Sequence, residues 1–535
     1  MAARAYTEGW AASELVRAGV LGPLPPAHLP AAVTAVRSFG ALGGLPGISA
    51  ARFGQRAAVI DERGSLSFAE LEAYTNAVAH GWRAARLRGG DTVAILARNH
   101  RGFVVTLFAA AKCGARIVLL NTDFGNTQLR DVLAREGGDL IVYDEEFAEA
   151  VADIDARCGR WQAWTDHHDD GHGWQLDSLA RQCNPAPPPA PGVEATLVIL
   201  TSGTTGTPKG APRSQPRSLI PVAGLLSKAP FRARGVTECC VPLYHGLGLS
   251  HTVLAVALGS TLVIRRRFDP RQTLDSLAHH HATGLIVVPV MLRRILDLDQ
   301  AVSEWDLSAL RIVFVAGSQL GAPLCRRALQ AFGPVVHNLY GSTEVAYATI
   351  ATPADLAVEP GCVGRVVRGA TVRILDDGGR SVAHGTTGRI FVANGIQFEG
   401  YTGGGGKDVV DGLMSSSDVG HFDRAGRLFI DGRDDDMIIS GVENVFPAEI
   451  EDTLAGHPDV TEAAAIAVDD PDWGQRLHCF VVRRTDTLTE QDVKDYVKTH
   501  LARYKVPRDI TFLDALPRNP TGKVLKRDLS AGTAP

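Results

Sequence analysis

Apolar and polar positions recur with different spacings along this chain, and the change of spacing divides it. From Leu66 to about Asp144, stretches with helical spacing alternate with short, almost wholly apolar runs at 92–96, 115–120 and 140–143. Runs of this kind between helices predict parallel strands covered on both faces. The segment Asn184-Pro-Ala-Pro-Pro-Pro-Ala-Pro191 predicts a stiff extended connector. It delivers the chain to a further strand at Val198, Ile199 and Leu200, and a second α/β series follows through 261–264, 284–288 and 312–315. Beyond about residue 365 the helical patterns thin out. Short β segments at 372–375, 388–392 and 426–430 predict a small β subdomain, the charged run 431–436 predicts a hinge, and the remaining hundred or so residues predict a small α/β lobe. Residues 1–50, rich in Ala, Leu and Pro, predict short helices leading into the first core unit. The expected fold class is α/β. A large N-terminal domain, residues 1–434, would hold two mostly parallel α/β sheets and the β subdomain, and a small C-terminal domain would span 435–535.

Composition narrows the function classes. The 535 residues are 45% hydrophobic and 21% charged with a formal net charge of −5, so no basic field for nucleic acid is expected. Eight cysteines with no C-x-x-C spacing predict free thiols and a cytoplasmic setting. Glu8 and Glu14 precede any apolar run of signal-peptide length, and Lys112 and Arg116 interrupt the apolar stretch around 104–120. Neither a signal peptide nor a membrane span is expected.

The segment Ile199-Leu-Thr-Ser-Gly-Thr-Thr-Gly-Thr-Pro-Lys-Gly210 carries the strongest chemistry. A strand opens into a loop whose glycines 203, 206 and 210 allow close backbone approach. Thr201, Ser202, Thr204, Thr205 and Thr207 supply hydroxyls, and Lys209 supplies positive charge. This combination suits phosphate. It is not a P-loop of the kinase or GTPase type, because Pro208 precedes the lysine and Gly210 stands where Ser or Thr would hold magnesium. Downstream, Asn338-Leu-Tyr-Gly-Ser-Thr-Glu344 suits a second nucleotide edge. Tyr340 can stack on a base, Thr343 can donate to an α-phosphate, and Glu344 offers the hard oxygen that Mg²⁺ prefers. A plain loop after a strand is the alternative for this piece alone. Asp418 in Ser416-Ser-Asp-Val-Gly420 can accept from both ribose hydroxyls, with Arg433 in support, and Lys523 lies on a glycine-containing loop where a solvated lysine is the ordinary alternative. Three groupings are read as surface. Asp166-His-His-Asp-Asp-Gly-His172 lacks apolar enclosure, His279-His-His281 ends an apparent helix, and Gly403–Gly406 with Lys407 forms a flexible loop.

Taken together, these segments resemble the adenylate-forming superfamily of acyl-CoA synthetases, luciferases and nonribosomal peptide adenylation domains, over about residues 50 to 530. Pro242-Leu-Tyr-His-Gly-Leu-Gly248, Ala316-Gly-Ser-Gln-Leu320, Gly432-Arg-Asp-Asp-Asp-Met-Ile438, Pro447-Ala-Glu-Ile-Glu451 and Pro517 to Lys523 complete the ordered set. The resemblance implies a mobile C-terminal domain that rotates about Asp435 between two half-reactions. In the first, a carboxylate attacks the α-phosphate of ATP and pyrophosphate leaves, with Lys523 bridging the developing charge; in the second, a thiol, normally that of CoA, attacks the acyl-adenylate.

The same resemblance assigns roles. Lys523, Thr343, Glu344 and His245 would be catalytic, with Thr204 and Glu344 on Mg²⁺. ATP would be held by Thr201, Ser202, Gly203, Thr204, Thr205, Gly206, Thr207 and Lys209. Gly317, Ser318, Gln319, Asn338, Leu339, Tyr340, Gly341, Ser342, Asp418, Ile430 and Arg433 would complete the nucleotide site. Gly246, Val290, Met291, Gly317 and Gly341 would wall the acyl pocket, with Gly248 and Ala316 also small. Gly246-Leu-Gly-Leu-Ser-His251 lacks the aspartate that binds an α-ammonium group, so a roomy apolar acid is expected in place of an amino acid. Departures from the pattern are Ser417 for glycine, Met414 near a commonly aromatic position and Arg389 where Glu is frequent. In the thioester channel, Gly441, Val442 and Glu443, Val442 replaces the family's second glycine. The expected cofactors are ATP, Mg²⁺ and CoA. The acyl acceptor is left open between CoA and a separate enzyme or carrier protein, and a catalytically silent acyl- or nucleotide-binding protein is the alternative of another class.

Overall fold

A computed structural model describes residues 2–24, 26, 29–166, 175–200, 208–215, 218–298, 302–434, 438–440, 443–470, 474–502, 505–519 and 522–531. The chain forms two compact units, each assembled from separated segments.

The first unit comprises 1–287, 297–314 and 395–406. One of its sheets runs in the order Arg160–Trp164, Leu140–Asp144, Thr92–Leu96, Arg116–Leu119, Thr196–Leu200 and Gly210–Arg213. All neighbours are parallel except the last pair. Five consecutive buried residues in Thr92–Leu96 explain why this run reads as uniformly apolar, since helices cover both faces. In the second sheet, Ala57–Asp61, Thr261–Ile264, Val236–Cys239 and Gly284–Val287 pair in parallel, and a hairpin strand, Gly64–Ser67, closes one edge. Ile312–Val315 follows on the other side.

Helix Phe68–Ala84 begins with a capping box in which Ser67 Oγ accepts from Glu70 N and Glu70 accepts from Ser67 N, satisfying two first-turn donors. The next helix, Arg101–Lys112, is almost wholly buried, so the Lys112 that breaks the apolar run in the sequence ends inside the core. Its Nζ donates to Glu72 (2.6 Å), Thr75 (3.1 Å) and Asn76 (2.5 Å), and burial pulls the ammonium below the usual lysine range. Lys112→Ala leaves Glu72 facing an empty site and should cost about 3–5 kcal/mol. A thermal unfolding midpoint within a degree of wild type would show that the pair contributes nothing.

The amino-terminal region is helical, as expected. Ala2–Ala18 is longer than the short helices expected, and Leu29–Phe53 is two shorter helical stretches that meet at non-helical Gly40, where φ is 70°. A side chain at Gly40 would meet the Gln215 amide at 2.9 Å, and Gln215 Oε1 in turn accepts from Leu42 N.

The second unit comprises 288–296, 315–394 and 407–535. Strands Val336–Ser342, Ala346–Ala351 and Arg365–Val366 are antiparallel neighbours. The expected β subdomain is present as Thr371–Leu375, Gly388–Ala393, Leu413–Phe422, Val409–Val410 and Leu428–Arg433. The last of these strands runs through Arg433, so the first half of the charged run 431–436 is sheet and not hinge. Another sheet carries Glu443–Val445, Ile438–Ser440, Gly474–Arg483 and Val460–Asp470, with Asp509–Phe512 parallel to Gly474–Arg483. Ile450, Leu454, Val493 and Val497 from helices Pro447–Leu454 and Glu490–His500 join the core of this lobe. Among the described residues no helix is long and apolar enough to cross a membrane.

Candidate active site

In the first unit, the parallel strand Thr196–Leu200 and its antiparallel return Gly210–Arg213 flank the presumed phosphate loop. Leu200 is paired with Gly210 across the ladder. Thr201, Ser202, Gly203, Thr204, Thr205, Gly206 and Thr207 lie outside the described residues. The exit of the loop is described. Gly210 N donates to Thr402 Oγ1 (2.9 Å), and Thr402 Oγ1 donates to Glu136. A side chain at Gly210 would meet Thr402 Oγ1 at 2.6 Å, Val198 at 2.7 Å and Glu136 at 2.8 Å, so glycine is required by close packing. Burial alone would raise the Glu136 carboxyl, but hydrogen bonds from Thr402, Arg116 and Arg135 outweigh it and hold the group below the usual carboxylate range. Lys209 lies over the Tyr401 ring at 5.3 Å.

The motif at 242–248 is placed in the same unit. Tyr244 is buried, and its hydroxyl oxygen accepts from Thr122 Oγ1 at 3.3 Å. His245 caps helix Gly246–Leu258 without a side-chain capping bond. Its Nε2 is buried and has no hydrogen-bond partner among the described residues, and burial pushes the imidazole down to about 4. The ring is therefore neutral near pH 7. Beside it, a Cβ built on Gly246 would meet only Ile199, at 3.9 Å. Gly248 is small for a local reason: its Cβ would lie 2.4 Å from the Pro242 carbonyl oxygen, so the turn itself demands glycine. A cavity of about 160 Å³, lined by Leu96, Thr122, Phe124, Asn126, Glu146 and Phe147, opens near the carboxyl ends of strands Thr92–Leu96, Arg116–Leu119 and Leu140–Asp144. Thr122 links it to Tyr244. The sequence reading missed this crevice because its walls are scattered over some fifty residues of unremarkable composition.

In the second unit, strand Val336–Ser342 carries Asn338 to Ser342 toward the loop with Thr343 and Glu344. Ser342 Oγ accepts from the backbone N–H groups of Glu344 (3.2 Å) and Val345 (3.3 Å) and donates to Glu344 Oε2 (2.9 Å), which orients the carboxylate. Gly341 would place a Cβ 1.9 Å from the Ala346 carbonyl oxygen, so its hairpin excludes every other residue. Tyr340 donates its hydroxyl to Asp418 Oδ2 at 2.6 Å, and Asp418 stands opposite Arg433 on neighbouring strands. Burial and the Asp418 charge push the phenol well above its ordinary range, so Tyr340 remains a donor. Ile430 lies on the same strand as Arg433.

Ser417, which stands where the related pattern has glycine, adopts φ 64°, the left-handed region that glycine favours. Lys407 Nζ donates to its Oγ at 2.7 Å, and its carbonyl accepts from Asp434 N at 3.0 Å. Lys407, read from the sequence as part of a free surface loop, thus holds the residue beside Asp418. Arg389, another departure, bridges Asp408 (2.9 Å) and Asp434 (2.8 Å).

Lys523 follows Gly522, whose φ is 76°. Asn519 closes the turn: its Oδ1 accepts from Lys523 N (2.8 Å), its carbonyl accepts from Gly522 N (2.8 Å), and its own N–H donates to Lys523 O (2.9 Å). A Cβ on Gly522 would lie 2.1 Å from Val290 Cγ1, so this loop is seated directly on an expected acyl-pocket residue. Val290 and buried Met291 lie in helix Pro289–Leu296, and Val288 just before that helix is the nearest neighbour, at 3.2 Å, of a Cβ on Gly317. Polar ties accompany the seat. Glu462 Oε1 takes hydrogen bonds from Arg293 Nη1 (3.2 Å) and Arg518 Nη2 (2.9 Å), and Gln319 Nε2 donates to Asp452 Oδ2 at 2.7 Å. Arg293, Asp452 and Glu462 look like ordinary solvated charges in the sequence. Ser318 adjoins Gln319 on the same segment.

Asp435, Gly441 and Val442 lie outside the described residues, and Glu443 is described only as the start of strand Glu443–Val445. Residues 167–172 of the first His-rich segment are also outside. Among the described residues no group of three His, Cys, Asp or Glu side chains converges as a metal site. Mg²⁺ held through one carboxylate, a hydroxyl and nucleotide phosphates needs no such cluster, and Glu344, with its hard oxygens fixed by Ser342, fits that mode.

Phosphate-loop flanks at a parallel strand end, an aspartate paired with tyrosine beside an arginine strand, and a lysine loop seated on apolar residues define a nucleotide-using, acid-activating class. The sequence profile of the AMP-binding enzyme family matches residues 48–402, and that of the AMP-binding enzyme C-terminal domain matches 449–523. Indoleacetate–CoA ligase of Aromatoleum aromaticum is 32% identical over 496 residues, covering 90% of this chain and 95% of that protein. Fatty acid–acyl-carrier-protein ligase ScoC of Streptomyces coeruleorubidus is 30% identical over 493 residues, covering 88% and 92%. The structure of o-succinylbenzoate CoA synthetase (MenE) from Bacillus subtilis, in complex with its acyl-adenylate intermediate, matches with a TM-score of 0.79 at 26% identity, over 91% of this chain and 97% of that one. The chain belongs to the AMP-binding enzyme family, within the adenylate-forming superfamily, and is an ATP-dependent enzyme of the acyl-CoA ligase type.

Proposed function

We propose that this enzyme joins a hydrophobic carboxylic acid to the α-phosphate of ATP, releasing pyrophosphate, and then passes the acyl group to a thiol. The seating of the Gly522–Lys523 turn on Val290 carries this reading, because it sets the proposed catalytic lysine next to a proposed acyl-pocket residue, in the same unit that holds Tyr340, Asp418 and Arg433. The substrate carboxylate attacks the α-phosphorus, the bond to the bridging oxygen breaks, and the electron pair leaves with pyrophosphate. Lys523 neutralises charge shared between the carboxylate and the phosphate. Thr343 donates to the α-phosphate, and Asp418 and Arg433 fix the ribose. Glu344 and Thr204 would hold Mg²⁺, which when bound offsets the phosphate charge. His245, neutral and with its Nε2 buried, stands at the mouth of the acid site. Residues 1–434 form the adenylating domain and 435–535 the domain that turns about Asp435.

The acceptor is CoA or a carrier-protein thiol, in keeping with the activities named for the two relatives. The second reading, a stand-alone adenylating enzyme that hands acyl-AMP to another protein, is favoured by Val442. A β-branched residue there disfavours positive φ and narrows a channel built around glycine. Pyrophosphate release across a panel of fatty, aromatic and amino acids tests the first step, and turnover of an amino acid above every apolar acid would refute the pocket assignment. Mass spectrometry of products with and without CoA tests the second. We expect slow thioester formation by the wild type and about a tenfold gain in Val442→Gly; an unchanged rate in the variant would clear Val442 of responsibility.

A further inference from the structure

Lys209, the lysine expected to hold ATP, is exposed between two buried neighbours, Pro208 and Gly210. Both neighbours are tied to one carboxylate. Glu136 is the last residue of helix Asn126–Glu136, and its side chain is fully buried. Arg135 Nε donates to Glu136 Oε1 at 2.8 Å, and Nη2 of the same guanidinium donates to the Pro208 carbonyl oxygen. On the other side, Thr402 Oγ1 donates to Glu136 and accepts from Gly210 N at 2.9 Å, while Thr402 N donates to the Gly210 carbonyl oxygen at 2.9 Å. The two peptide groups that flank Lys209 are thus held from one point. Tyr401, next to Thr402, lies with its ring centre 5.3 Å from Lys209 Nζ.

A buried carboxylate on the last residue of a helix costs stability twice, because burial disfavours its charge and the helix end adds partial charge of the same sign. Arg116 offsets part of this, through Nη2 to Glu136 Oε2 (2.5 Å) and Nη1 to the Glu136 carbonyl oxygen (2.7 Å). The remaining bonds, through Arg135 and Thr402, lead to the backbone beside Lys209.

We propose that Glu136 is a positioning residue for ATP binding: through Arg135 and Thr402 it fixes the backbone on both sides of Lys209 and so holds the ammonium in place for phosphate. This rests on the reading of Lys209 as a phosphate ligand. Glu136 acts through Lys209 and takes no part in bond making.

Calorimetric titration of the full-length protein with ATP and Mg²⁺, without acid, reads the ATP dissociation constant independently of turnover. Thr402→Val, close in shape but without the hydroxyl, should weaken ATP binding by roughly 10–100-fold, since a buried N–H and a charged acceptor lose their shared partner. Thr402→Ser keeps the hydroxyl and should stay within about threefold of wild type. Glu136→Gln keeps the shape but loses the charge, and should weaken ATP binding about tenfold. In Lys209→Ala nothing remains to be positioned, so adding Thr402→Val should change the constant by less than about threefold. Unchanged ATP binding in Thr402→Val, or losses that multiply when it is combined with Lys209→Ala, overturns the proposal. If Thr402→Val does not fold, Glu136→Gln alone and combined with Lys209→Ala decides by the same two criteria. Wild-type ATP affinity in Lys209→Ala overturns the phosphate-ligand reading and the proposal with it. Pyrophosphate release with no acid, while the ATP effects hold, overturns the adenylation reading and leaves the role of Glu136 standing.

Discussion

Lys523→Ala should lower ATP- and acid-dependent pyrophosphate release by roughly 10²–10³-fold or more, with little change in unfolding temperature. The chemistry is positioning plus charge stabilisation, so one preorganised cation aimed at the transition state accounts for several kcal/mol of barrier. The turn that carries it is made by backbone and Asn519 contacts that the alanine side chain leaves in place. The fold and the binding of a preformed acyl-AMP should therefore survive, which separates a catalytic loss from a structural one. A variant that releases pyrophosphate at near the wild-type rate would show that Lys523 is an ordinary solvated lysine.

Gly522→Val should be nearly as damaging, for a mechanical reason. The position has φ 76°, and its Cβ would stand 2.1 Å from Val290 Cγ1. A β-branched residue is poorly tolerated at that φ, and the overlap must push the turn away from helix Pro289–Leu296. Displacement of about 1 Å at a catalytic group costs on the order of 10²-fold in rate. Enlarging the seat with Val290→Gly should recover only part of the loss, because the backbone penalty remains. Unimpaired pyrophosphate release by Gly522→Val would mean that the turn is not seated on Val290 during adenylation.

The sequence was most legible where one local rule decides. Buried parallel strands must be apolar throughout, so 92–96, 261–264 and 312–315 stood out and are strands at those bounds. The strand that enters the glycine-rich loop was legible for the same reason, at 198–200. The glycines were harder to read: an absent side chain looks the same where a Cβ would meet little, as at Gly246, and where a neighbouring backbone leaves no space for one, as at Gly248 and Gly341. Contacts between distant segments could not be read at all. Tyr340 meets Asp418 across 78 positions, and Glu462 joins Arg293 to Arg518. Charged residues of this kind carry no periodicity that separates a tie from a solvated surface. Asp431 and Arg433 look like linker residues in the sequence, yet strand Leu428–Arg433 pairs with Leu413–Phe422.

The bond from Gly210 to Thr402 spans 192 positions, and Thr402 reaches back 266 positions to Glu136. Ribosomes add about 5–20 residues per second, so roughly 10–40 s pass between synthesis of the loop's exit and synthesis of the residue that anchors it. The presumed phosphate cradle is thus among the last parts of the first unit to be finished, although its own residues are translated before the middle of the chain. A nascent chain paused anywhere short of residue 402 carries strands Thr196–Leu200 and Gly210–Arg213 without the hydroxyl to which Gly210 N donates. The tie at the loop's exit therefore closes late in translation, after most of the surrounding core has been made.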